Sequence, residues 1–181
     1  MAETKFKTGD VVVEPTIGIC TVMGVKRMTV DSKEDDYFIL NPPSGSSRVY
    51  VPRQMMAKRG VRPPMDKETV RRLLTKLRTP VQVSREDARL QYLAYRDTMK
   101  SGDPNKISKL LRELYILDQS DDLKGKEKEI MEQAKSFLID EIVYVRGISK
   151  AKASEQVDEA LRVMYKERQG KGDKKADTKE A

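Results

Sequence analysis

Apolar residues in the first third of the chain come in short β-branched runs, at 11–13, 17–25, 37–40 and 48–51. Turn-forming residues separate them: Gly9 and Asp10, then Pro15, then "NPPSGSS" at 41–47. Runs of this length and punctuation predict strands. Several short strands at this spacing predict a small, strongly bent barrel. At "RGVRPPM", residues 59–65, adjacent prolines disfavour both helix and ladder and mark a linker.

Beyond it the apolar period lengthens to that of helices. Asp66 reads as an N-cap, with Val70, Leu73, Leu74 and Leu77 on one face before Pro80 stops the helix. Ser84 reads as the cap of a second helix that breaks at Gly102. Asp103 followed by Pro104 opens a third, burying Ile107, Leu110, Leu111 and Leu114, with Tyr115 a further candidate. A fourth, over 126–145, presents Ile130, Ala134, Phe137, Leu138, Glu141 and Ile142. Ser149 caps a fifth carrying Val157, Ala160, Leu161 and Met164. From residue 166 the sequence is polar without an apolar face, which predicts a disordered tail. The expected fold is α+β: a β-barrel domain over 1–65, a helical domain of about five helices over 66–165, and a tail over 166–181.

Composition narrows the function. The 181 residues carry 36 Lys+Arg against 29 Asp+Glu, a net charge of +7 that is compatible with a nucleic-acid partner without requiring one. The absence of histidine removes the commonest metal ligand and general base, so a Ser-His-Asp triad or a Cys-His pair cannot be built. No glycine loop for phosphates and no metal constellation stands out. Neither an enzyme nor a metal or cofactor site is expected. The acidic "DSKEDD" at 31–36 lacks the glycine and terminal glutamate of a calcium loop and reads as a solvated hairpin turn. The single cysteine, Cys20, cannot form an internal disulfide, which favours a reducing compartment. Its place in a β-branched run reads as a buried small hydrophobe rather than a reactive thiol. Methionines at 55, 56, 65, 99, 131 and 164 read as core. No apolar run approaches 18 residues, and Lys5, Lys7 and Asp10 interrupt any signal core, so neither a membrane span nor export is expected.

Cations cluster in two places. If the second helix starts by residue 85, Arg85, Arg89, Arg96 and Lys100 fall within about 60° of one another, with Tyr92 at the border. This stripe reads either as a phosphate track or as a solvated face with Tyr92 in the core. Lys124, Lys126 and Lys128 gather at the start of the fourth helix, where they oppose its dipole and hint at an external anion.

The stretch "FKTGDVVVEPTIGICTVMGV" at 6–25, "YFIL" at 37–40 and "RVYVPRQM" at 48–55 resemble the CarD/CdnL family of bacterial transcription regulators. The same segments are similar to the polymerase-interacting module of transcription-repair coupling factors. "LAYRDTMKSGDPNKISKLLRELY" at 93–115 and "LKGKEKEIMEQAKSFLIDEI" at 123–142 look like the family's later helices. The resemblance implies a Tudor-like (SH3-like) barrel that adds an edge strand to the RNA polymerase β subunit. The matching strand carries Arg48, Val49, Tyr50 and Val51, with Arg48 and Tyr50 on one face; without the resemblance the sequence favours a strand internal to the barrel. Arg27, read as lying in the turn after the second strand, falls near a family arginine that contacts polymerase.

The resemblance further implies a helical domain facing promoter DNA at the upstream edge of the bubble, where a tryptophan wedges into the minor groove. That position falls on Ala88, and the neighbouring basic positions become Leu90 and Gln91. A methyl group cannot wedge a base step, which leaves DNA contact weak to moderate and non-specific. Tyr92 and Met99 share the wheel face of Ala88 and are the first alternatives. Lys128 keeps a basic family position. The expected protein is a monomeric, cytoplasmic, nucleoid-associated regulator of open-complex formation. The rival readings are an RNA- or ribosome-binding protein with an SH3-like barrel, and a polymerase-binding protein without bubble contact. Ten Lys+Arg against seven Asp+Glu up to Met65 weigh mildly against RNA binding by the barrel.

Overall fold

In the computed structural model, which describes residues 5–85 and 87–176 and side chains as far as residue 171, the β-branched runs form one antiparallel sheet. Its strands are β1 (Val11–Glu14), β2 (Gly18–Val30), β3 (Lys33–Asn41) and β4 (Val49–Pro52), paired in the order β1-β2-β3-β4. Among the described residues β1 and β4 do not pair with each other, so the expected barrel is an open meander. Among the described residues, the outer edge of β1 is bridged by the backbone of Arg62, through mutual N–H···O bonds with Val13 of 2.7 and 3.1 Å. One face of the sheet buries Val12, Cys20, Val22, Phe38, Leu40 and Val51 together with Met56 and Val61. Phe6 stands edge-on to Phe38, with ring centroids 6.5 Å apart.

The hairpin of β2 and β3 runs longer than expected. Only Asp31 and Ser32 form its turn, both at positive φ (49° and 63°), as a two-residue hairpin turn that matches strand twist requires. The remainder of "DSKEDD" continues β3. The charges there line a solvated arm with no apolar side to reveal the alternation.

The chain divides into two compact units, Met1–Pro64 with Met99–Gly102, and Met65–Thr98 with Asp103–Ala181. The helices are α1 (Lys67–Leu77), α2 (Ala88–Ser101), α3 (Pro104–Gln119), α4 (Gly125–Arg146) and α5 (Lys150–Ala176). Asp66 caps α1 by accepting from Thr69 N at 2.6 Å, and Asp103 caps α3 by accepting from Asn105 N at 2.8 Å. Gly147, at φ 63°, ends α4 in the left-handed conformation that a side chain would strain. Val70, Leu73 and Leu77 of α1 are buried with Ile107, Leu110, Leu111, Leu114 and Leu117 of α3. Ile130, Ala134, Leu138, Ile139 and Ile142 of α4 and Val157, Ala160, Leu161 and Met164 of α5 are buried too. Ile139 takes the depth expected of Phe137, which is half-buried.

Two buried charges are satisfied within the helical unit. Glu141 accepts from Met65 N at 2.7 Å, and Arg112 donates to the carbonyls of Thr79 (2.8 Å) and Ser108 (3.2 Å). The expected tail is corrected in part. α5 runs past its last buried residue, Met164, to Ala176. Lys166, Glu167, Arg168 and Gln169 are strong helix formers, so losing the apolar face does not end the helix. Residues 177–181 lie outside those described. No described helix is long and apolar enough to cross a membrane.

Candidate functional site

β4 is an edge strand. Its register, Tyr37↔Pro52, Phe38↔Val51, Ile39↔Tyr50 and Leu40↔Val49, occupies one side, and no described strand pairs with the other. The strand begins at Val49, with Arg48 exposed just before it. Side chains alternate as the sequence implies: Val51 is fully buried and Val49 packs against the core, while Tyr50 stays 38% exposed on the opposite face. Inner side chains anchor the strand, and its outer edge and outer face are left available.

Arg27 is not in a turn. It lies within β2, opposite Asp36 on β3, at 3.5 Å from that carboxylate and 4.0 Å from Glu34. β4 covers only Tyr37 to Leu40 of β3, so Arg27 sits on the hairpin arm beyond the end of β4. The structure does not bring Arg27 together with Arg48 and Tyr50. The polar residues expected to form the turn instead continue β2 in register with β3.

The basic stripe of α2 also changes. The helix starts at Ala88, and its cap is Asp87, whose carboxylate accepts from Arg89 N (2.9 Å) and Leu90 N (3.2 Å); Ser84 is not the cap. Arg85 therefore precedes the helix and turns inward. Its guanidinium donates to Glu127 Oε1 at 3.1 Å and to the carbonyl of Asp122. Glu127 is buried and also accepts from Lys124 N at 2.9 Å, so one carboxylate ties the segment before α2 to the start of α4. Arg85 is a latch, and Arg89, Arg96 and Lys100 remain as exposed cations along one side of α2.

Within α2 only Tyr95 is buried, and burial together with the nearby Glu127 pushes its hydroxyl up to about 12. Ala88 is exposed, whereas Tyr92 and Met99 are half-buried, which removes both as freely projecting wedges. Sequence reasoning missed the outward apolar residues: Leu90 is 63% exposed and Leu93 46%, beside the cations. They face outward because α2 buries its opposite side around Tyr95.

Lys124, Lys126 and Lys128 are all exposed at the start of α4. Lys126 Nζ lies 5.9 Å from the centre of the Tyr92 ring, which ties this cluster to α2 by a cation–π contact. Lys128 is 3.7 Å from Asp118. Cys20 is buried in the sheet core, and burial first, then Glu14, pushes its thiol up to about 11, the environment of an inert side chain. Among the described residues no group of three or more Cys, Asp or Glu could hold a metal ion.

The CarD-like/TRCF RID domain family matches residues 6–65, and the CarD C-terminal domain family matches residues 72–158. The chain belongs to the CarD family. Together the two CarD matches leave unmatched only the ends and residues 66–71. YdeB of Bacillus subtilis (strain 168), a candidate transcription factor by its name, is 19% identical over 145 residues, covering 80% of this chain and 95% of that protein. The RID match indicates a transcription-related regulator that interacts with RNA polymerase. In CarD terms, the edge strand lies in the RID region and the cations of α2 and α4 lie in the C-terminal region.

Proposed function

We propose that this CarD-family protein is a non-catalytic regulator that docks on the β subunit of RNA polymerase along β4 and contacts promoter DNA through α2 and the start of α4. The observation that carries the reading is the uncovered outer edge of β4, held in place by buried Val51 and flanked by exposed Arg48 and Tyr50. An added strand would satisfy the free backbone groups of that edge, with Tyr50 and Arg48 giving specificity. Arg27 joins the contact only if the partner also reaches the hairpin arm. The open four-stranded sheet remains compatible with a Tudor-like module.

On the DNA side, Arg89, Arg96, Lys100, Lys124, Lys126 and Lys128 supply phosphate contacts. Ala88 contributes no bulk. Leu90, two residues on, is an exposed apolar side chain, and leucine is among the residues that proteins insert between base steps. The protein acts as a cytoplasmic monomer that modulates the promoter open complex.

The test is binding of the full chain to a purified β-subunit fragment, wild type against the double variant Arg48→Glu/Tyr50→Glu. A loss of at least about 2 kcal/mol is expected, because unpaired charge would be desolvated against the partner. Both side chains are exposed, so the thermal transition is expected to hold. Unchanged affinity with intact folding removes the β4 assignment.

A further inference from the structure

A second basic feature lies away from α2, in a cleft of about 670 Å³ between α1, the end of α4 and α5. Lys67, Arg71 and Arg78 line its α1 wall, and Arg146 and Gln156 face them. No acidic side chain lines it among the described residues. Arg71 has an ion partner, Glu68 at 3.0 Å, but that glutamate lies outside the lining and both side chains are mostly exposed. Arg146 Nη1 donates to Gln156 Oε1 at 2.7 Å, which fixes the guanidinium while leaving its other donors and the Gln156 amide N–H group available.

Two of these cations have a routine role. Arg146 in the last turn of α4 and Arg78 at the C-cap of α1 complement helix dipoles. That account does not cover Lys67 and Arg71. Lys67 occupies the first position of α1, where the dipole opposes a cation, and Arg71 follows it at the i,i+4 spacing, where like charges repel. The chain thus concentrates four cations around one concavity against local electrostatics, with half-buried Leu74 as an apolar wall.

We propose that this cleft binds a polyphosphate anion, free or carried by a nucleoside. Converging guanidinium and ammonium donors match the several oxygens of a phosphate chain. The volume suits a nucleotide-sized ligand. Cations facing one another across a concavity grip a small anion, whereas a duplex is met by a convex face such as that of α2. The cleft lining shares no residue with β4 or α2.

The experiment is titration calorimetry of the full chain with tripolyphosphate, ATP and GTP, each in magnesium-free buffer at about 0.1 M salt. Saturable one-to-one binding is expected. Arg78→Ala and Arg146→Ala are each expected to weaken it about tenfold, the scale of one charge-assisted hydrogen bond. Arg89→Ala on α2 should leave it within about twofold, since surface charges beyond a Debye length are screened. Gln156→Glu retains the acceptor for Arg146 and puts an anion in the cleft, so it is expected to weaken binding about tenfold or more while the fold persists. Equal affinity for all three probes identifies free polyphosphate as sufficient; tighter ATP or GTP binding identifies a nucleoside contact. No saturable binding by any probe overturns the proposal. So does an equal loss in Arg89→Ala, or a loss in the cleft variants confined to duplex DNA.

Discussion

Removing Arg85 should cost this protein stability before it costs DNA affinity. Arg85 donates to Glu127 at 3.1 Å, and the Glu127 side chain is only 6% exposed. In Arg85→Ala the carboxylate would keep the Lys124 N–H bond at 2.9 Å but lose its compensating charge. Stranding a buried carboxylate in this way costs on the order of 3 kcal/mol in dry interiors. The Arg85 side chain is 35% exposed, so water replaces part of the interaction, and about 1–2 kcal/mol is the better expectation here. Glu127→Ala removes the Arg85 partner and the acceptor for Lys124 N together, for about 2–4 kcal/mol. The pair should therefore show a coupling of about 1–2 kcal/mol in a double-mutant cycle. Urea unfolding of the four proteins, followed by helical circular dichroism, measures it. In parallel, the salt slope of DNA binding should be the same for wild type and Arg85→Ala. A coupling below about 0.3 kcal/mol, with a slope shallower by about one unit, would show that Arg85 is a phosphate contact and not a latch.

Four further outcomes are expected. Neutralising Arg89, Arg96 and Lys100 together should remove a contribution of about −3 from the salt slope at −0.9 per phosphate, and Ala88→Trp should lengthen the open-complex lifetime without altering that slope; an unchanged slope in the triple variant places the DNA elsewhere. Asp87→Ala should destabilise α2 by about 0.5–2 kcal/mol, read as faster amide exchange over the first turn from Ala88, while Ser84→Ala should not. Cys20 binds its proton more tightly folded (about 11) than its ordinary value of 9.0, so the folded state holds the extra proton between those values. Stability from that group is then complete below pH 9 and lost as pH rises toward 11, by up to about 3 kcal/mol, and Cys20→Ala should flatten that part of the profile.

The sequence by itself determined what depends on local chemistry. Alternation in 48–51 placed Val51 inward and Tyr50 outward, because successive strand side chains must point to opposite faces. Asp66 and the Asp103-Pro104 pair set two helix starts, because a cap needs only its own side chain and the next backbone amides. The period of Ile107, Leu110, Leu111 and Leu114 set a buried face. Tertiary structure decided the rest. Arg27 became a strand residue because the hairpin extends on cross-strand pairs, which a polar sequence without alternation does not reveal. Whether the sheet closed, and hence which edge of it is open, depends on pairing between distant strands. Arg85 left the stripe because a glutamate 42 residues away buried its charge and drew the arginine inward. The cleft of Lys67, Arg71, Arg78 and Arg146 exists only because α4 ends beside α1. Charge positions along a chain are local, but which charges face one another is settled by packing.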